Sequence, residues 1–180
     1  MVVDFDMNNG PINSYNFKLD IPLGDSRKRH VCTDCGWIHY INPKIVVGAV
    51  CTWKERILLC KRAIEPRLGY WTVPGGFLEE NETTQMGASR EVWEEACAKI
   101  AVGPLLGLYN IPRISQIHMM YRAEMKTSEH GVGEESLEVA LFSWKDIPWD
   151  DLAFPSSRWA LEDFYRTLGQ NEFQPFDSRF

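Results

Sequence analysis

Residues 76–98 read Gly76-Phe77-Leu78-Glu79-Glu80-Asn81-Glu82-Thr83-Thr84-Gln85-Met86-Gly87-Ala88-Ser89-Arg90-Glu91-Val92-Trp93-Glu94-Glu95-Ala96-Cys97-Ala98. Good helix formers fill the second half, and a helix is expected from Thr84 to about Lys99. At about 100° per residue, Glu91, Glu94 and Glu95 fall within an arc of about 100°. Ala88, Val92 and Ala96 fall to one flank, where they can face a core. Gly87 and Ala98 lie on the acidic side and leave room above it. Three carboxylates on one face repel each other and cost stability when unpaired. A hard divalent cation, which takes oxygen ligands, would justify that arrangement. Mg²⁺ or Mn²⁺ held there would also make the site positive enough to receive phosphates. Runs of Glu are common on solvated helix faces too, so the six residues Arg90 to Glu95 alone do not decide.

Upstream, Lys44 to Trp53 is rich in Val and Ile and reads as a buried strand, and Ile57 to Arg62 as a second. Residues 65–69 are a loop, and Tyr70 to Val73 is a short strand ending at Pro74-Gly75-Gly76. Downstream, Ile100 to Tyr109 and Ser115 to Met125 read as strands around a turn at Pro112. The second alternates, with Ile117, Met119 and Tyr121 on one face and His118, Met120 and Arg122 on the other. Lys126 to Glu135 is a polar loop, Glu138 to Trp144 a strand, and Pro155 to Leu168 a helix with an apolar face. Strands dominate the first half and long crossovers are few. The expected class is α+β, a mixed sheet packed between helices. The expected division is an N-terminal arm over 1–43, a main domain over 44–170 and a tail over 171–180.

The chain has 180 residues, 44% of them hydrophobic and 24% charged, with a net charge of −6. Disordered and collagenous classes are excluded on those figures. A negative surface repels phosphate backbones, so no nucleic-acid partner is expected. Met1 to Gly10 has neither a basic start nor an apolar core, and no apolar run approaches membrane-spanning length, so neither secretion nor a membrane is expected. Five cysteines, odd and sparse, fit a reducing cytoplasmic setting without disulfides.

The spacing Gly76-x5-Glu82-x7-Arg90-Glu91-Val92-x-Glu94-Glu95 resembles the Nudix box, G-x5-E-x7-R-E-U-x-E-E-x-G-U, where U is a bulky aliphatic residue. The lead-in Trp71-Thr72-Val73-Pro74-Gly75 also resembles the usual entry to that box. Cys97 stands where the pattern has Gly, and Ala98 where it has a bulky apolar residue. The resemblance implies a Nudix fold and a pyrophosphohydrolase acting on a nucleoside diphosphate linked to another moiety. It implies that Glu91, Glu94 and Glu95 hold Mg²⁺ or Mn²⁺, that the Gly76 carbonyl is a further candidate ligand, and that Arg90 and Glu82 brace the loop and helix. Metal-assisted attack of water on a diphosphate phosphorus would follow. Many members use a further carboxylate from a distant loop. Glu134, Glu135 and Glu138 are the candidates here. A homodimer is expected by the same analogy.

Cys32-x2-Cys35-Gly36 has the shape of a zinc knuckle. With His39-Tyr40-x-Asn42-Pro43-Lys44 after it, the segment resembles half of the zinc ribbon in the branch of NADH, FAD and ADP-ribose pyrophosphatases. Residues 1–31 contain no cysteine, so the first knuckle is missing. His30, His39, Asp4 and Asp6 are possible substitutes. The other reading is a ribbon that has lost its zinc and is held by packing. Cys51, Cys60 and Cys97 are expected to be small core residues.

The substrate is less legible. Residues 152–157 do not match the motif of NADH-type members and look closer to FAD or ADP-ribose relatives. Phe77, Tyr109 and Tyr121 are candidates to stack on a base or flavin, and Arg62 and Arg113 to meet a phosphate. The rival readings are a nucleoside triphosphate pyrophosphohydrolase and a non-catalytic nucleotide-sensing module.

Overall fold

The computed structural model describes residues 16–170 and 172–177. It divides into two compact units, residues 1–42 and 43–180. In the first, β1 (Phe17–Asp20), β2 (Arg29–Cys32) and β3 (Ile38–His39) form an antiparallel sheet in that order. The segment expected as an arm or a zinc-ribbon-like module forms a small three-stranded sheet. Its Cys32–Gly36 turn is closed by Gly36 N–H donating to the Cys32 carbonyl at 3.0 Å and Cys32 N–H to the Trp37 carbonyl at 2.8 Å. Asp4 and Asp6 lie outside the described residues.

The second unit is built on β4 (Lys44–Trp53), β5 (Arg56–Arg62), β6 (Trp71–Thr72), β7 (Gly75–Phe77), α1 (Thr84–Ala96), β8 (Ile100–Ile111), β9 (Gln116–Met125), β10 (Ser136–Ser143) and α2 (Pro155–Arg166). The sheet runs β10-β5-β4-β9-β8, with β6 on β5 and β7 on β4. Only β4 and β9 pair in parallel; the remaining ladders are antiparallel, so the sheet is mixed. Among the described residues no helix is long and apolar enough to cross a membrane.

Alternation along the strands makes two cores, one on each sheet face. Val47, Ala49 and Cys51 of β4 pack with Tyr121 and Ala123 of β9 and with Ala88, Val92 and Ala96 of α1. Val50 of β4, Leu59 of β5 and Met120 of β9 pack with Ala160, Leu161 and Phe164 of α2. The α1 flank named from helical spacing is the one buried, and the two β9 faces separate as the alternation requires.

Three local features depart from the expectations. Pro74 does not end the strand region, because Gly75–Phe77 pairs with Val46–Gly48 of β4 as a further strand. The helix stops at Ala96 because Cys97 turns left-handed at φ 49° and donates its N–H to the Trp93 carbonyl. Cys97 is consequently exposed, a correction to its expected place in the core, whereas Cys51 and Cys60 are buried. Residues after α2 are tied down in part: Phe176 exchanges backbone hydrogen bonds with Leu106 and Leu108 of β8.

Candidate active site

The Thr83 side chain caps α1, accepting from Met86 N–H at 3.2 Å. The cap starts the helix after the loop of residues 78–83 that follows β7, and the acidic residues of α1 stand over the Gly75–Gly76 backbone. Glu95 is buried, and its carboxylate accepts one hydrogen bond from Gly75 N–H at 3.2 Å. A Cβ on Gly76 would overlap the Glu91 carboxylate, so the bare glycine leaves that carboxylate its place against β7.

Arg90 organises the cluster. Its Nε and one terminal nitrogen grip both oxygens of Glu82, at 3.1 and 2.7 Å. The other terminal nitrogen donates to Glu91 at 2.8 Å and Glu94 at 2.9 Å. A further bond reaches the Phe77 carbonyl at 3.0 Å. Glu82 in turn accepts from Glu79 N–H at 2.8 Å, which pins the loop. The planar fork of arginine makes such multiple pairing possible.

Electrostatics follow burial. Desolvation pushes the Glu95 carboxyl up to about 8, with the charges of Glu91 and Glu135 adding and the Gly75 N–H and Arg62 opposing. Burial also raises Glu91; Arg90 opposes this, and the charges of Glu94 and Glu135 reinforce it. Arg90 holds Glu82 below the usual carboxylate range. The donors are all oxygens, and one of them is a buried carboxylate with a single N–H partner. That chemistry fits a hard divalent cation. Among the described residues, no group of three Asp, Glu, His or Cys side chains is arranged to hold a metal as it stands. The reason is visible: Glu91 and Glu94 are turned onto Arg90, so a cation would draw them away from it.

These residues line a cavity of about 980 Å³ shared by α1, β7, β9, the loop before β10 and the start of α2. Arg62, Gly76, Phe77, Arg90, Glu91, Glu94, Glu95, Glu134 and Glu135 all lie on its wall. Arg62 is anchored there, its Nε donating to the Pro66 carbonyl at 2.8 Å and its guanidinium 5.0 Å from the Phe154 ring centre. The loop carrying Glu134 and Glu135 is fastened to the end of α1, with Gly131 N–H donating to the Ala96 carbonyl at 2.8 Å and Gly133 N–H to the Glu95 carbonyl at 3.1 Å. A larger depression of about 1170 Å³, around Lys54, Arg56, Arg122 and Trp144, shares none of these residues.

Four expected site residues lie elsewhere. Glu138 sits on β10 and faces Lys61 at 3.6 Å, away from the cavity wall. The β10 bulge between Ser136 and Glu138 separates it from Glu135. Tyr109 is fully buried under α2 and donates to Asp163 at 3.0 Å. Tyr121 is buried on the α1 face, its hydroxyl 2.6 Å from that of Thr84. Arg113 is exposed in the turn after β8, outside the cavity lining. In exchange the wall holds Gln116, His118, Phe154, Ser156 and Ser157, to which the sequence reading gave no role.

The model of the NUDIX domain matches residues 42–166. The chain belongs to the Nudix family. A Nudix N-terminal zinc-ribbon model matches residues 15–41 of this Nudix chain. A crystal structure of a NUDIX hydrolase from Nitrosomonas europaea is 43% identical, covers 90% of this chain and 93% of its own, and superposes with a TM-score of 0.85. A protein from Methanocaldococcus jannaschii named ADP-ribose pyrophosphatase is 30% identical over 131 residues, 71% of this chain and 76% of that one. A MutT-like protein from Streptomyces ambofaciens is 34% identical over 99 residues, 55% of this chain and 60% of that one. The Nudix hydrolase assignment thus rests on both the sequence and the fold.

Proposed function

We propose that this Nudix hydrolase cleaves the pyrophosphate bond of a nucleoside diphosphate derivative, ADP-ribose before dinucleotides such as FAD or NADH, using Mg²⁺ or Mn²⁺. The observation that carries the reading is the convergence of Glu91, Glu94, Glu95 and Arg62 on one cavity. The named ADP-ribose pyrophosphatase relative supports the choice of substrate.

Glu91, Glu94 and Glu95, with the Gly76 carbonyl, are the residues that would hold the cation. When bound, a divalent cation supplies charge neutralisation on the non-bridging oxygens and a more acidic water. Arg90, released from part of its pairing, keeps Glu82 and the Phe77 carbonyl and so keeps loop and helix in register. Arg62 meets a phosphate oxygen, since its Nε is already fixed and its charge is felt at Glu95. Glu135 takes the proton of the attacking water. Its position on the cavity wall and its effect on both Glu91 and Glu95 favour it over Glu138. The water oxygen bonds to phosphorus, the bridging P–O bond breaks, and the leaving phosphate takes the electron pair.

A panel of ADP-ribose, FAD, NADH and deoxynucleoside triphosphates, with each metal and with products identified by mass, tests the reading. AMP release from ADP-ribose is expected. Pyrophosphate release from the triphosphates instead would move the assignment to that class, and no turnover of any of them would remove it.

A further inference from the structure

Gln116 opens β9 on the cavity wall, two residues before His118. The His118 ring lies between two partners, Nε2 at 3.0 Å from Gln116 Oε1 and Nδ1 at 3.0 Å from Ser156 Oγ. An imidazole that is neutral has one donor and one acceptor nitrogen. With a carbonyl oxygen at Nε2, the proton belongs there, and the Ser156 hydroxyl donates to Nδ1. Burial lowers the His118 pKa, which keeps this neutral form. The chain Ser156–His118–Gln116 therefore holds one end of the glutamine amide against the imidazole and leaves its other end facing the cavity. Among the described residues nothing else bonds the Gln116 side chain, leaving its NH₂ group and one carbonyl lone pair for a ligand. In the sheet, His118 pairs with Val46 and Val46 with Phe77. Phe77 and His118 thus stand two strand spacings apart, about 10 Å, over a short valine floor, a width that admits a flat ring.

We infer that Gln116, oriented by His118 and Ser156, reads the adenine of the substrate. A fixed amide offers a donor beside an acceptor, the complement of adenine's amino group and neighbouring ring nitrogen. The pairing uses the adenine edge that carries N7, where hypoxanthine, with a carbonyl in place of the amino group, presents two acceptors and is refused. The inference rests on the pyrophosphatase reading of the same cavity, and its test includes a measurement that needs no turnover.

The test is binding of AMP and IMP by calorimetry, beside turnover of ADP-ribose and its inosine analogue. The wild type is expected to favour AMP about tenfold. Gln116→Ala brings the ratio near one. Gln116→Glu, which keeps the length but only accepts, does the same. In turnover, the ADP-ribose KM rises about tenfold in Gln116→Ala while kcat stays within about twofold. His118→Ala lowers the ratio part-way with the fold retained. An unchanged ratio in both Gln116 variants, a loss confined to kcat, or no preference in the wild type overturns the inference. A base preference without ADP-ribose hydrolysis would leave it standing and remove the proposed activity instead.

Discussion

The amide of Gly133 donates to the carbonyl of Glu95 at 3.1 Å, so the loop before β10 closes the end of the very helix whose acids it faces. A Cβ at Gly133 would overlap the carbonyl oxygen of Glu94. Gly133→Ala must therefore lift the loop and carry Glu134 and Glu135 from the cavity. The expected outcome is a kcat at least tenfold lower and a stability loss of about 1–3 kcal/mol, as for other overpacked sites. Steady-state kinetics and a denaturant curve check both. Unchanged kcat would mean that neither loop acid takes part.

Glu94 is largely exposed and Glu95 buried, yet both are assigned to the cation. Glu94→Gln and Glu95→Gln are each expected to fold and to lose at least about 100-fold in kcat, since even residues that merely orient a metal ligand cost 10–100-fold. Wild-type-like turnover in either variant at saturating Mg²⁺ would refute the assignment.

Cys97 occupies the left-handed residue that ends α1, a conformation in which a side chain is unfavourable. Cys97→Gly restores the residue type of the Nudix box at that position. It is expected to stabilise the protein by up to about 1 kcal/mol, read as a higher midpoint in urea with activity unchanged.

His118 gives a pH dependence with a definite sign. Its folded pKa lies below its ordinary value, so the unfolded chain binds the proton first. Its contribution to stability is present above about 6.5 and lost as pH falls through the lowered folded value. The thermal midpoint of the wild type is expected to fall below that pH, and His118→Gln to show a shallower fall. Equal slopes would mean that the imidazole titrates freely.

Cys32 and Cys35 are two thiols where a closed zinc site needs four ligands. Backbone N–H groups of Cys35 and Asp34 hold the Cys32 thiol below its ordinary pKa, so one ligand is ready in part. Chelator-washed protein is expected to retain well under one zinc per chain by elemental analysis. A full equivalent would show that His30, His39 or an aspartate completes the set.

Local periodicity carried much of the fold. The 3.6-residue repeat placed Ala88, Val92 and Ala96 against the sheet, and the two-residue repeat separated Tyr121 from Met120. The acid pattern on α1 was equally visible, because residues three and four apart share a helix face whatever surrounds them. Glu138 and Tyr109 were misplaced for a different reason. Their strands were read correctly, but the bulge at β10 and the packing of α2 over β8 decide where those side chains end.

The sequence by itself determined the helix with its three acids, the alternating strands and the family, since each is written in short-range spacing. Only the tertiary structure decided that Glu134 and Glu135, and not Glu138, share the cavity wall with those three, and which side of β9 forms that wall. It also decided that Gln116, His118 and Ser156 meet. Gln116 and Ser156 are 40 positions apart, and contact over that distance depends on how β9 and α2 pack, which no local pattern records.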